Sequence, residues 1–92
     1  EIPERFSLSQ NYPNPFNPST KINFNIPADG NDYVHLKIFD NLGKEVRTLV
    51  NGNMKPGVYE IDFNSADLPS GVYFYKIQAG KYTDTKKMIL VK

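Results

Sequence analysis

The chain has 92 residues, a formal net charge of +1, 39% hydrophobic residues, six Phe and six Tyr, and no cysteine. That is one small domain with enough apolar material for a modest core, which argues against disorder. The near-neutral charge gives no pull toward nucleic acid or membrane, and the missing cysteines exclude disulfides and thiolate metal sites.

Glu1-Ile2-Pro3-Glu4 reads as the end of a linker, so residues 1–5 are expected to be a connector from a longer protein and residues 6–92 a single domain. Phe6-Ser7-Leu8-Ser9-Gln10 alternates apolar and polar residues, as a strand does. Gln10 to Thr20 then holds three prolines, three asparagines and two aromatics. Proline fixes φ and lacks an N–H, and it pushes the residues before it (Tyr12, Asn14 and Asn17) toward extended backbone. The stretch is expected to be a stiff loop anchored on the domain through Tyr12 and Phe16. Its Pro15-Phe16-Asn17-Pro18 matches P-x-x-P, a groove ligand in other settings, but packing on its own domain is the preferred reading.

Ile22, Phe24 and Ile26 alternate with polar residues until Pro27. Val34, Leu36 and Ile38 do the same around His35 and Lys37. Asp40-Asn41-Leu42-Gly43 is a turn, and Val46 to Val50 the return strand of a hairpin. Asn51-Gly52-Asn53 and Pro56-Gly57 read as punctuation. Tyr59, Ile61 and Phe63 form the next strand, and Asn64 to Gly71 a turn-rich crossing. Val72 to Ala79 reads as a central strand and Lys81 to Val91 as the last one, with its lysines guarding an edge. Seven short strands between turn signals predict an all-β chain, a seven-stranded antiparallel immunoglobulin-like β-sandwich, with a small up-and-down barrel as the alternative. The expected inward set is Leu8, Ile22, Phe24, Ile26, Val34, Leu36, Ile38, Val46, Leu49, Ile61, Phe63, Tyr73, Tyr75, Ile77, Met88 and Leu90. The longest apolar run, Met88 to Val91, is far short of the ~20 residues of a membrane span, so no direct membrane insertion is expected.

Chemistry is sparse. His35, the one histidine, falls between inward residues and should face outward, without the neighbours a zinc or general-base site requires. Asp29-Gly30-Asn31-Asp32 misses the EF-hand spacing and reads as an ordinary loop rather than a calcium site. Asp62 and Asp67 could be imagined as a glycosidase pair, but a domain this small has little material for a cleft. Tyr33, Phe39, Tyr59, Phe74 and Tyr82 would make a sugar platform if they were exposed together, but strand aromatics more often cover their own sheet. No catalytic residue and no cofactor is expected. The closing Lys86 to Lys92 fits either a guarded edge or a strand read by another protein through strand addition.

Several ordered motifs resemble one family. Leu8-Ser9-Gln10-Asn11-Tyr12-Pro13-Asn14-Pro15-Phe16-Asn17-Pro18-Ser19-Thr20, Ile22-Asn23-Phe24-Asn25-Ile26-Pro27, Val34 to Asp40 with Gly43 to Val46, Ser70-Gly71-Val72-Tyr73-Phe74-Tyr75 and Lys86 to Val91 together resemble the type IX secretion system (Por-type) C-terminal sorting domain, type A. The resemblance covers Phe6 to Lys92. Phe63-Asn64 departs from the Trp-Asp-like pair of many members. The resemblance implies a non-catalytic sorting signal that folds in the periplasm of a Gram-negative bacterium. It would then be recognised by an outer-membrane translocon, cut off by a sortase-like signal peptidase, and have its parent delivered to the cell surface or medium. It also implies translocon recognition through Gly71, Val72, Tyr73, Lys87, Met88, Ile89, Leu90, Val91 and Lys92, with Pro13, Asn14, Pro15 and Phe16 shaping the opening loop. An accessory carbohydrate-binding module or a structural immunoglobulin-like module of a secreted enzyme is the alternative. The domain is expected to be a monomer, or a weak dimer if the last strand exchanges between copies.

Overall fold

The computed structural model describes residues 2–30 and 32–92, with the Asp32 side chain outside the description. Seven strands follow one another: β1 (Ser7–Leu8), β2 (Ser19–Ile26), β3 (Asp32–Asp40), β4 (Glu45–Met54), β5 (Gly57–Asn64), β6 (Gly71–Ala79) and β7 (Tyr82–Leu90). A three-stranded sheet in the order β1-β2-β5 faces a four-stranded sheet in the order β4-β3-β6-β7. Every strand pair is antiparallel. The result is an all-β sandwich of immunoglobulin-like type rather than a barrel.

Period-two alternation sets the layers, because successive side chains in a strand point to opposite faces. Thr20, Ile22, Phe24 and Ile26 of β2 are buried, and Lys21 and Asn23 between them are exposed. Val34, Leu36 and Ile38 of β3 meet Tyr73, Tyr75, Ile77 and Ala79 of β6 and Met88 and Leu90 of β7 in one core. β6 lies between β3 and β7, as its apolar content requires of an interior strand. Gly43 closes the β3–β4 turn with φ of 86°, a conformation glycine adopts without steric cost.

Four expectations need correction. The first strand is shorter than Phe6–Gln10, because Gln10 and Asn11 leave the sheet to start the proline loop; only Tyr12 returns, bridging Lys21. Asn51-Gly52-Asn53 is strand, not turn, since Tyr33, Val34 and His35 pair with all three; the ladder offered by β3 outweighs local propensity. Val46, Leu49 and Ile61 are only partly buried. Register shifts at Leu36/Lys37 and Ile38/Phe39 break the alternation of β4, and β5 is an edge. Finally, Phe16 is 2% exposed and belongs to the core, but Tyr12 is 80% exposed and anchors nothing.

Candidate recognition surface

The opening loop is pinned by a buried polar network. Asn11 is 2% exposed. Its Nδ2 donates to Thr20 Oγ1 at 3.0 Å and to the Pro13 carbonyl at 3.1 Å. The Thr20 hydroxyl donates to the same carbonyl at 2.8 Å. The Asn11 amide donates to Tyr75 Oη at 2.7 Å, and the Tyr75 hydroxyl donates to the Ser9 carbonyl at 2.6 Å. Burial pushes the Tyr75 phenol up to about 12. The Tyr12–Pro13, Asn14–Pro15 and Asn17–Pro18 peptide bonds are all cis. The Phe16 ring lies in the core, its centroid 6.0 Å from that of Phe63. The P-x-x-P match is therefore turned inward at its second position and is not presented as a groove ligand.

The same loop closes the edge of β7. Phe16 forms a parallel bridge with Leu90. The Phe16 amide donates to the Ile89 carbonyl at 2.9 Å, and the Val91 amide donates to the Phe16 carbonyl at 3.0 Å. The Ile89 amide donates to Asn14 Oδ1 at 3.0 Å, and Gln10 Nε2 donates to the Lys87 carbonyl at 2.7 Å. Pro13 serves through its carbonyl, and Pro15 connects the two capping residues Asn14 and Phe16.

On the other side of β7, Gly71 pairs with Leu90, Val72 with Ile89, Tyr73 with Met88 and Phe74 with Lys87. The two segments implied in recognition are thus directly opposed neighbours. Tyr73, Met88 and Leu90 point into the core, at 4%, 0% and 1% exposure. Gly71, Lys87, Val91 and Lys92 are exposed, and Val72 and Ile89 half-buried. Gly71 has φ of 157°, a value side-chain-bearing residues rarely adopt. The Tyr73 hydroxyl donates to the Pro69 carbonyl at 2.6 Å, and burial, then the nearby Asp40 charge, raises its pKa. Gly71, Val72 and Tyr73 line a cleft of about 290 Å³ with Asp40, Leu68 and Pro69. Lys92 folds back: its amide donates to Ser70 Oγ at 3.0 Å and its Nζ to the Ala66 carbonyl at 2.6 Å.

The other candidates disperse. His35 is half-buried on the outer face of the four-stranded sheet, its ring 5.0 Å from that of Tyr33. Among the described residues no group of His, Asp and Glu has the arrangement of a metal site. Asn31 and the Asp32 side chain of the calcium candidate lie outside the described residues. Asp62 meets Lys21 Nζ at 2.7 Å, and Asp67 takes both contacts of Arg47 Nη2 at 2.8 and 2.9 Å, which lower its pKa. Each carboxylate has its own cation, so they are not an acid–base pair. The aromatics do not make one platform: Tyr59 stacks on Phe24 and Tyr82 on Phe6. Sequence reasoning missed Gln10 and Asn11 as capping and locking residues; the only local signal was two polar side chains beside a proline run.

A family model described as the secretion system C-terminal sorting domain matches residues 10–92. No curated protein matches the chain.

Proposed function

The chain belongs to the family of secretion system C-terminal sorting domains, and from that membership we propose that its folded β6–β7 end, with the opening loop, is the feature the secretion machinery reads. The domain is a sorting signal of the type IX secretion system, and its family is non-catalytic. It implies interaction with the secretion machinery and export to the cell surface or medium.

Residues 6–92 act as one domain and residues 1–5 as the end of a linker. The domain passes through the periplasm folded, contacts an outer-membrane translocon, and is removed by a sortase-like signal peptidase cutting near the linker. Exposure of Ile2, Glu4 and Arg5 suits such a cut. The domain itself performs no chemistry, in keeping with carboxylates that are spent in surface ion pairs. The observation that carries the reading is convergence: residues 10–16, 71–73 and 87–92, far apart in sequence, meet through direct backbone pairing. Random surface loops have no reason to converge with a family's motifs in this way.

The test is to fuse residues 1–92 to the C-terminus of a periplasmically exported fluorescent protein. The fusion is expected at the surface or in the medium of a host with the secretion system, and in the periplasm of an otherwise identical host without it. Periplasmic retention in both hosts would overturn the reading.

A further inference from the structure

We propose that the outer face of the four-stranded sheet, around its β6–β7 end, is the docking surface for the secretion machinery, and that the partner presents an apolar centre rimmed by acidic side chains. The inference rests on the sorting function and adds the face and the partner's chemistry.

The strand edge is not open from Ile89 to Val91. A partner adding a strand to β7 needs its outward-facing backbone groups. The Lys87 carbonyl, the Ile89 amide and carbonyl and the Val91 amide are all taken by Gln10, Asn14 and Phe16. Upstream, the Thr85 amide is taken by Asp84 Oδ1 at 2.8 Å. Recognition at this end is therefore left to side chains.

Those side chains include an apolar row. On the outer face Phe39 lies directly opposite Phe74, and Val72 directly opposite Ile89. All four are half-buried and no described element covers them. The outer face of the three-stranded sheet carries Lys21, Asn23, Glu60 and Asp62 instead, and its one outward apolar residue in the β2–β5 ladder is Val58, opposite Asn25.

Charge points to the partner. In the three-stranded sheet Lys21 sits opposite Asp62, in contact at 2.7 Å. In the four-stranded sheet Lys37 sits opposite Lys76, and Lys87 sits opposite Phe74. Like charges placed opposite each other destabilise a sheet. Glu45 reaches Lys37 at 3.3 Å, whereas Lys76 and Lys87 make no ion pair among the described residues. A lysine-rimmed apolar patch is complementary to an apolar surface with an acidic rim, the arrangement that steers association and fixes register.

The reporter fusion tests this with Lys76→Glu/Lys87→Glu, against Lys55→Glu/Lys81→Glu, which makes the same charge change on exposed turns elsewhere. Thermal unfolding of each purified domain checks folding. The first pair is expected to lower export by about tenfold or more, as loss of charge complementarity at an interface does, with Tm held; the second pair is expected to export like the wild type. Equal export of both variants, or equal loss in both, would overturn the docking face. Export that rises when Asn14→Ala uncovers the Ile89 amide would make the strand edge the contact and also overturn it. Retention of the unmodified fusion would instead overturn the sorting function on which the inference rests.

Discussion

Tyr75 ties the core of one sheet to the loop that defines the family. Its ring is inward on β6, and its hydroxyl accepts from Asn11 and donates to Ser9, 64 and 66 residues away. Tyr75→Phe keeps the packing and strands a buried amide and carbonyl, so it is expected to cost about 1–3 kcal/mol in urea unfolding. The phenol also links stability to pH. It releases its proton at an ordinary 10.0 in the unfolded chain and at about 12 in the folded one. Between these values the folded state binds more protons, so stability is full below pH 10 and falls as pH rises toward 12. Alkaline melts should show this fall in the wild type and a shallower one in Tyr75→Phe. Gly71→Ala is expected to cost about 1–3 kcal/mol although its Cβ would meet nothing within 4 Å, because the φ of 157° is the obstacle and not space. The inward direction of Tyr75 was legible from the alternation of Tyr73, Tyr75 and Ile77. Its hydrogen-bond partners were not, since they come from a segment whose path is set by the fold rather than by local pattern.

At the scale of elements, the proline loop behaves as an eighth, irregular edge on β7. Asn14→Ala removes the acceptor of the Ile89 amide. Hydrogen exchange at Ile89 and Val91 is expected to quicken, with a stability loss of about 1 kcal/mol, while amides of β3 and β6 stay protected. Unchanged exchange at Ile89 would mean the cap is not formed in solution. Phe16→Ala empties a core position and is expected to cost about 3–5 kcal/mol in equilibrium unfolding. Strand existence and order were legible wherever the alternation was strict, as in β2, β3 and β6. It failed in β4, where two register shifts rotate side chains off the period and pairing with β3 carried Asn51 to Asn53 into the strand. The loop was legible as stiff, and Phe16 as an anchor. The exposure of Tyr12 was not, because a bridge to Lys21 holds its backbone and leaves the ring outside.

For the molecule as a whole, the four-stranded sheet presents two different faces. One is the core; the other is an apolar row among lysines. Truncation before Lys87 would take Met88 and Leu90 out of the core, so it would unfold the domain together with any surface it displays. Surface substitutions on a folded domain separate these effects. β7 is held by nine paired residues and by the loop, so strand exchange should be slow, and light scattering behind size exclusion is expected to give a monomer at all concentrations. The resemblance carried by the ordered motifs made the function legible before the fold did. The face that serves it was not legible, because Lys37 and Lys76 become neighbours only once β3 and β6 pair.

The most direct measurement is site-specific photo-crosslinking in the exporting host, with benzoylphenylalanine in place of Thr85 on the outer face of the four-stranded sheet or of Asn23 on the outer face of the other. The account predicts a crosslink to an outer-membrane component of the secretion system from position 85 and none from position 23. Crosslinks from position 23 alone, or from neither position while the fusion is still exported, would contradict it.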